Sequence, residues 1–112
     1  MTSPITTHVL DIARGRPASG VPVVLCIRDG AGWRELGRGA TDEDGRLRTL
    51  VAGPIEAATY RIEFDTGAYF EAHGTHGFYP EVSIVFVVRD ATSHYHVPLL
   101  LSPYGYSTYR GS

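Results

Sequence analysis

The chain has 112 residues, 43% apolar and 20% charged, a balance that suits one folded domain over 1–112 and excludes a disordered chain. A formal charge of -2 with no run of Lys or Arg excludes the cationic surface that a nucleic-acid backbone requires. The opening Met1-Thr2-Ser3-Pro4 has no charged stretch leading into an apolar one, and no apolar run nears the ~18 residues of a membrane span, so a cytoplasmic, non-membrane protein is expected.

Short runs rich in β-branched and aromatic residues alternate with Gly, Pro and Asp clusters, which predicts strands throughout. The first strand is expected over Ile5–Asp11, where two-residue alternation places Thr6, His8 and Leu10 on one face. Val21–Arg28 follows, with Pro22 near its start. It holds the single cysteine, Cys26, which has no internal disulfide partner and no basic cluster beside it, and so reads as a small buried hydrophobe. After a strand over Arg34–Thr41 comes Thr41-Asp42-Glu43-Asp44-Gly45. It resembles the start of a calcium loop but lacks the downstream Glu and flanking helices, so it is expected to be a turn. Arg46 opens the next strand, Arg46–Leu50. A guanidinium there can hold a planar anion through two hydrogen bonds, although a solvated surface Arg is the plainer reading of that residue alone.

A strand over Thr59–Phe64 precedes the one expected helix, Thr66–His73, with Gly67 and Gly74 marking its ends. Strands over Glu81–Val88, His94–Ser102 and Tyr104–Arg110 bring the total to eight, which suits an all-β sandwich of two four-stranded sheets. In His94–Leu101 one face carries His94, His96, Pro98 and Leu100 and the other Tyr95, Val97, Leu99 and Leu101. A strand apolar on both faces is covered on both, by the core and by a second subunit. Pro98 lacks an N–H and is expected at an edge or a bulge. The aromatic tail is expected to pack rather than fray.

Histidines stand at 8, 73, 76, 94 and 96. A neutral imidazole can take a proton from water near neutral pH, which makes them candidates for a general base, though a strand histidine is more often structural. His94 and His96 also have the spacing of metal ligands, with His8 as a third, but no carboxylate-rich histidine motif accompanies them, and no metal or cofactor is expected.

Three blocks carry a resemblance to a known family. They are Thr6-Thr7-His8-Val9-Leu10-Asp11 with Gly15-Arg16-Pro17-Ala18 and Gly20-Val21; Thr41 to Arg46; and the whole of His94 to Ser112, closing on Tyr109-Arg110-Gly111-Ser112. Together they resemble the transthyretin-related family, specifically its enzymatic branch, the 5-hydroxyisourate hydrolases. The resemblance spans essentially the whole chain. Vertebrate transthyretin, the hormone carrier of the same fold, lacks the closing Tyr-Arg-Gly-Ser and the residues matched here by His8, Arg46 and His96.

The resemblance implies a two-sheet prealbumin-like β-sandwich assembled as a homotetramer, a dimer of dimers, with sites in a channel where the dimers meet. It implies hydrolytic ring opening of 5-hydroxyisourate to 2-oxo-4-hydroxy-4-carboxy-5-ureidoimidazoline in urate degradation, without a cofactor. His96 or His8 would take the proton from water, Arg46 would steady the oxyanion, and Tyr109 would orient the ring. Pro98, Ser107, Arg110, Gly111 and Ser112 would line the site, with a terminal carboxylate orienting a side chain. Two readings compete besides a histidine-metal hydrolase. One is a non-catalytic ligand carrier; the other is a generic sandwich of the carboxypeptidase-regulatory or adhesin kind, which leaves the His94–Ser112 block unexplained.

Overall fold

Period-two burial, with alternate side chains driven into a shared interior, builds this chain into two facing sheets. The computed structural model describes residues 3–112, so the Met1-Thr2 part of the opening segment lies outside the described residues. The strands are β1 (Ile5–Asp11), β2 (Arg16–Pro17), β3 (Pro22–Asp29), β4 (Gly32–Ala40), β5 (Arg46–Leu47), β6 (Ala58–Phe64), β7 (Val82–Val88), β8 (Tyr95–Ser102) and β9 (Gly105–Thr108), with helix α1 (Thr66–Ala72) between β6 and β7. One sheet runs β4-β3-β6-β7; in the other, β2 and β5 pair with one edge of β1, β8 pairs with the opposite edge, and β9 lies beyond β8. Among the described residues every pairing is antiparallel except β1 with β8.

The interior is filled by Ile5 and Val9 of β1, Val23 and Leu25 of β3, Tyr60, Ile62 and Phe64 of β6, and Leu99 and Leu101 of β8. Burying a side chain of this size stabilises the fold by roughly 1.5–3 kcal/mol. Polar groups at depth are paired. Thr7 Oγ1 donates to Val97 O at 2.6 Å, and the Tyr69 hydroxyl of α1 donates to buried Asp11 at 2.7 Å. Burial first, then that carboxylate, pushes the Tyr69 hydroxyl up to about 12. Asp65 caps α1, accepting from Ala68 N at 3.0 Å.

The architecture agrees with the expected sandwich, with nine strands among the described residues for eight and a five-stranded sheet for one of four. The addition is β2, which like the shortened β5 is only two residues long. The strand expected to reach Leu50 stops at Leu47, although Leu50 is itself buried. Pro98 corrects an expectation: it lies inside β8, between β1 and β9, in register with His8. The β8–β9 ladder ends at Leu99↔Thr108 and returns only as the bridge His96↔Gly111, so the position opposite Pro98 needs no N–H. Its carbonyl is still used, accepting from Thr108 Oγ1 at 2.7 Å.

The tail packs through its backbone and through Tyr106, Thr108 and Arg110, while Tyr104 and Tyr109 keep 75% and 58% of their surface exposed. Cys26 is buried as expected. Burial first, then the nearby Glu63, pushes its thiol up, against reactivity. No helix among the described residues is long and apolar enough to cross a membrane.

Candidate functional site

Register decides which side chains meet on the outer face of the five-stranded sheet. The parallel β1–β8 pair aligns Thr6 with His96, His8 with Pro98 and Leu10 with Leu100, and the antiparallel β1–β5 pair sets Arg46 beside His8. Side chains in register share a face. The core takes Ile5, Val9, Tyr95, Val97 and Leu99, so Thr6, His8, His96 and Arg46 share the other side.

The turn before β5 fixes Arg46. Asp42 Oδ1 accepts from Asp44 N at 2.9 Å and Arg46 N at 3.0 Å, and Gly45 N donates to Asp42 O at 2.9 Å. The Arg46 N–H, helped by that of Asp44, holds the Asp42 carboxyl below the usual carboxylate range. Gly45 adopts φ +76, and its carbonyl accepts from Val9 N at 2.7 Å, tying the turn to β1. The segment is thus a turn, as its sequence suggested. His8 Nε2 lies 2.8 Å from Asp44 O. A carbonyl oxygen has no proton to give, so His8 Nε2–H is the donor and that nitrogen is engaged.

Thr6, Thr7, Arg46, Arg48, His94, His96 and Ser112 line a cavity of about 260 Å³. The Thr6 hydroxyl is within hydrogen-bond distance of two rings, His96 Nδ1 at 2.8 Å and His94 Nε2 at 3.3 Å. Burial, then the charges of Arg46, His8, His94 and Arg48, holds the His96 imidazole below the ordinary histidine value and favours its neutral form. Gly111 closes one side, its N–H donating to His96 O at 2.8 Å. A neutral imidazole beside two guanidiniums can deprotonate water while the cations stabilise an oxyanion. Among the described residues no three His, Cys, Asp or Glu side chains converge to hold a metal.

Of the residues singled out in the sequence, the cavity gathers Arg46, His96 and Ser112, with Gly111 bridged to it and His8 adjoining through Arg46. Pro98 lies under the tail beside Gly111, and Ser107 pairs with Leu100 further along β9. Tyr109 and Arg110 stand elsewhere in the single chain, lining a cleft of about 300 Å³ with Ile84, Phe86 and Tyr95 that His96 also borders. The Arg110 guanidinium stacks 4.5 Å from the centre of the Tyr95 ring. Sequence reasoning missed Thr6 and Arg48 as site residues. Two-residue alternation places Arg48 with Arg46 and Thr6 with His8 and could have found both, whereas the contact of Thr6 with His96 needs the pairing with a strand 90 residues away.

Residues 5–111 match the HIUase/Transthyretin family. The chain is 49% identical over 111 residues to the 5-hydroxyisourate hydrolase of Salmonella typhimurium, covering 96% of this chain and 80% of that one. Among solved structures it resembles Klebsiella pneumoniae 5-hydroxyisourate hydrolase, with TM-score 0.85 and 40% identity over 96% of this chain and 98% of that one. It also resembles sea bream transthyretin in complex with thyroxine, with TM-score 0.90 and 32% identity over 97% and 95% of the two chains. Backbone similarity therefore does not separate the two activities, and the side chains in the cavity must.

Proposed function

The chain belongs to the HIUase/Transthyretin family, and we propose that within it this protein is a hydrolase that opens the ring of 5-hydroxyisourate. The observation that carries this reading is the meeting of Arg46 and a neutral-favouring His96 in one cavity. A carrier needs only a complementary surface; an aligned base and cation suit hydrolysis.

Water held beside His96 loses a proton to the imidazole as its oxygen attacks a ring carbonyl carbon. Arg46 takes the charge gathering on the carbonyl oxygen, the ring C–N bond breaks, and the proton on His96 goes to the departing nitrogen. The product, 2-oxo-4-hydroxy-4-carboxy-5-ureidoimidazoline, carries the new carboxylate beside Arg46 and Arg48. His96 is the base in this reading rather than His8, because its ring lines the cavity with Arg46 and is held toward its neutral form, whereas His8 lies outside that lining with Nε2–H donated to Asp44 O. His8 holds the turn that presents Arg46, while Gly111 and Ser112 wall the cavity.

A homotetramer, a dimer of dimers, is part of the same reading. The cavity, at about 260 Å³, falls short of the ~300–1,000 Å³ of small-molecule sites, as half of a shared site would. Leu10 and Leu100 flank it on the outer face, and in β7, at the edge of the other sheet, Val85 and Val87 are 52% and 49% exposed. A facing subunit would bring Pro98, Ser107, Tyr109 and Arg110 onto the substrate. We place the protein in the cytoplasm, where its single unpaired cysteine is at home, and treat residues 1–112 as one domain.

The test is the ultraviolet decay of 5-hydroxyisourate generated by urate oxidase, with and without the protein and with a chelator in parallel. Accelerated decay indifferent to chelator is expected, and a folded His96→Ala variant should be slower by ~10²–10⁴-fold. No acceleration by folded protein would move the reading to a carrier, and loss of activity to chelator would move it to metal chemistry.

A further inference from the structure

We propose that Thr6 is a positioning residue for this reaction. Its hydroxyl accepts from His96 Nδ1–H and donates to His94 Nε2, a relay that leaves the His96 Nε2 lone pair facing the cavity. The inference rests on His96 being the base.

The threonine hydroxyl has one proton and two ring nitrogens within reach, at 2.8 Å and 3.3 Å. Only two arrangements satisfy all three groups. If Thr6 gives its proton to His96 Nδ1, the neutral His96 ring carries its own proton on Nε2 and has no lone pair left for water. If Thr6 gives its proton to His94, then His96 donates from Nδ1 and keeps Nε2 as an acceptor. The charges of Arg46 and Arg48 on the cavity wall favour the second arrangement, since a lone pair beside guanidiniums is stabilised and an N–H dipole is not. Thr6 is only 4% exposed, so water cannot readily take its place, and β1 holds it in register with His96. Fixing both tautomer and ring plane through the second imidazole nitrogen is how a buried partner makes a histidine an effective base.

Thr6→Val keeps the shape and removes the relay. Its kcat should fall on the order of 10–100-fold with KM within about threefold, and Thr6→Ser should recover most of the loss. The acid limb of kcat/KM should also move to lower pH, because the imidazolium loses the oxygen that accepts its Nδ1–H. The groups facing that ring are otherwise unchanged: His8 on β1, Arg46 on β5, Arg48 beyond it, His94 before β8, and the Gly111-Ser112 tail.

Nitrogen-15 spectra of the wild-type protein should find the His96 proton on Nδ1. A proton on Nε2, or wild-type turnover by Thr6→Val while His96→Ala is inactive, would overturn the relay and leave the base assignment standing. Wild-type turnover by His96→Ala would overturn the base assignment and the relay with it. The wild-type spectrum decides the matter even if Thr6→Val does not fold.

Discussion

Replacing Gly111 with alanine should damage catalysis far more than stability. A Cβ at this position would lie 2.6 Å from His96 Cδ2 and 3.3 Å from both His96 Cγ and Pro98 Cγ. Non-bonded carbons rest at about 3.5–4.0 Å, so the imidazole or the tail must give by roughly 1 Å. If the tail lifts, the 2.8 Å bond from Gly111 N to His96 O is lost, at a net cost of about 0.5–1.5 kcal/mol. If the ring turns instead, it leaves Thr6 and the direction from which it receives a proton. A misplacement of ~1 Å in a reacting group costs on the order of 10²-fold in rate. The expected signature is therefore a kcat about a hundredfold lower in the ultraviolet decay assay, beside a melting temperature lowered by only a few degrees. Gly32→Ala is the control, because a Cβ there meets nothing nearer than Asp29 O at 3.9 Å. Turnover by Gly111→Ala within threefold of wild type would refute the claim that the tail packs against the base.

Because burial, then Arg46, His8, His94 and Arg48, lowers the His96 value, the acid limb of kcat/KM should fall below the ordinary histidine value near ~6.5, and Arg48→Ala should move it upward. The unfolded chain protonates this ring at higher pH than the folded one, so the stability tied to it is present above ~6.5 and is lost as pH falls toward the folded value, which a melting series across that range would read. Gly45→Ala should cost roughly 1–3 kcal/mol, since φ is +76 and a Cβ would collide with Val9 O. It should also raise KM by displacing Arg46. An unchanged melting temperature would mean the turn can rebuild itself.

The strands that proved legible are those with clean alternation. The expected bounds of Ile5–Asp11 match β1, and the two faces read along His94–Leu101 divide as β8 divides them, Tyr95, Val97, Leu99 and Leu101 inward. β2 was invisible because two residues, one of them a proline, carry no period. Gly67 was read as a helix end, yet it lies inside α1, where a Cβ would press to 2.9 Å from Pro80 O; the usable start signal was Asp65, whose carboxylate caps the helix. Within the candidate site, His94 and His96 share a face by spacing alone. The meeting of Arg46 with His8, and of Thr6 with His96, depends on which strands pair, which local pattern does not encode. Tyr109 and Arg110, placed in the site by resemblance, line a neighbouring cleft in the single chain.

The lone parallel pairing, between β1 and β8, also bears on how the protein comes into being. Thr6 and His96 are 90 residues apart, so β1 has no β8 partner until all the intervening chain has been synthesised. Closing so long a loop is slow to be rewarded, which places assembly of the cavity among the last steps of folding and leaves a strand edge unprotected meanwhile. A nascent chain stalled before β8 would hold all four strands of the β4-β3-β6-β7 sheet and no working site, so activity should appear abruptly once β8 and the segment after it are made rather than in proportion to length.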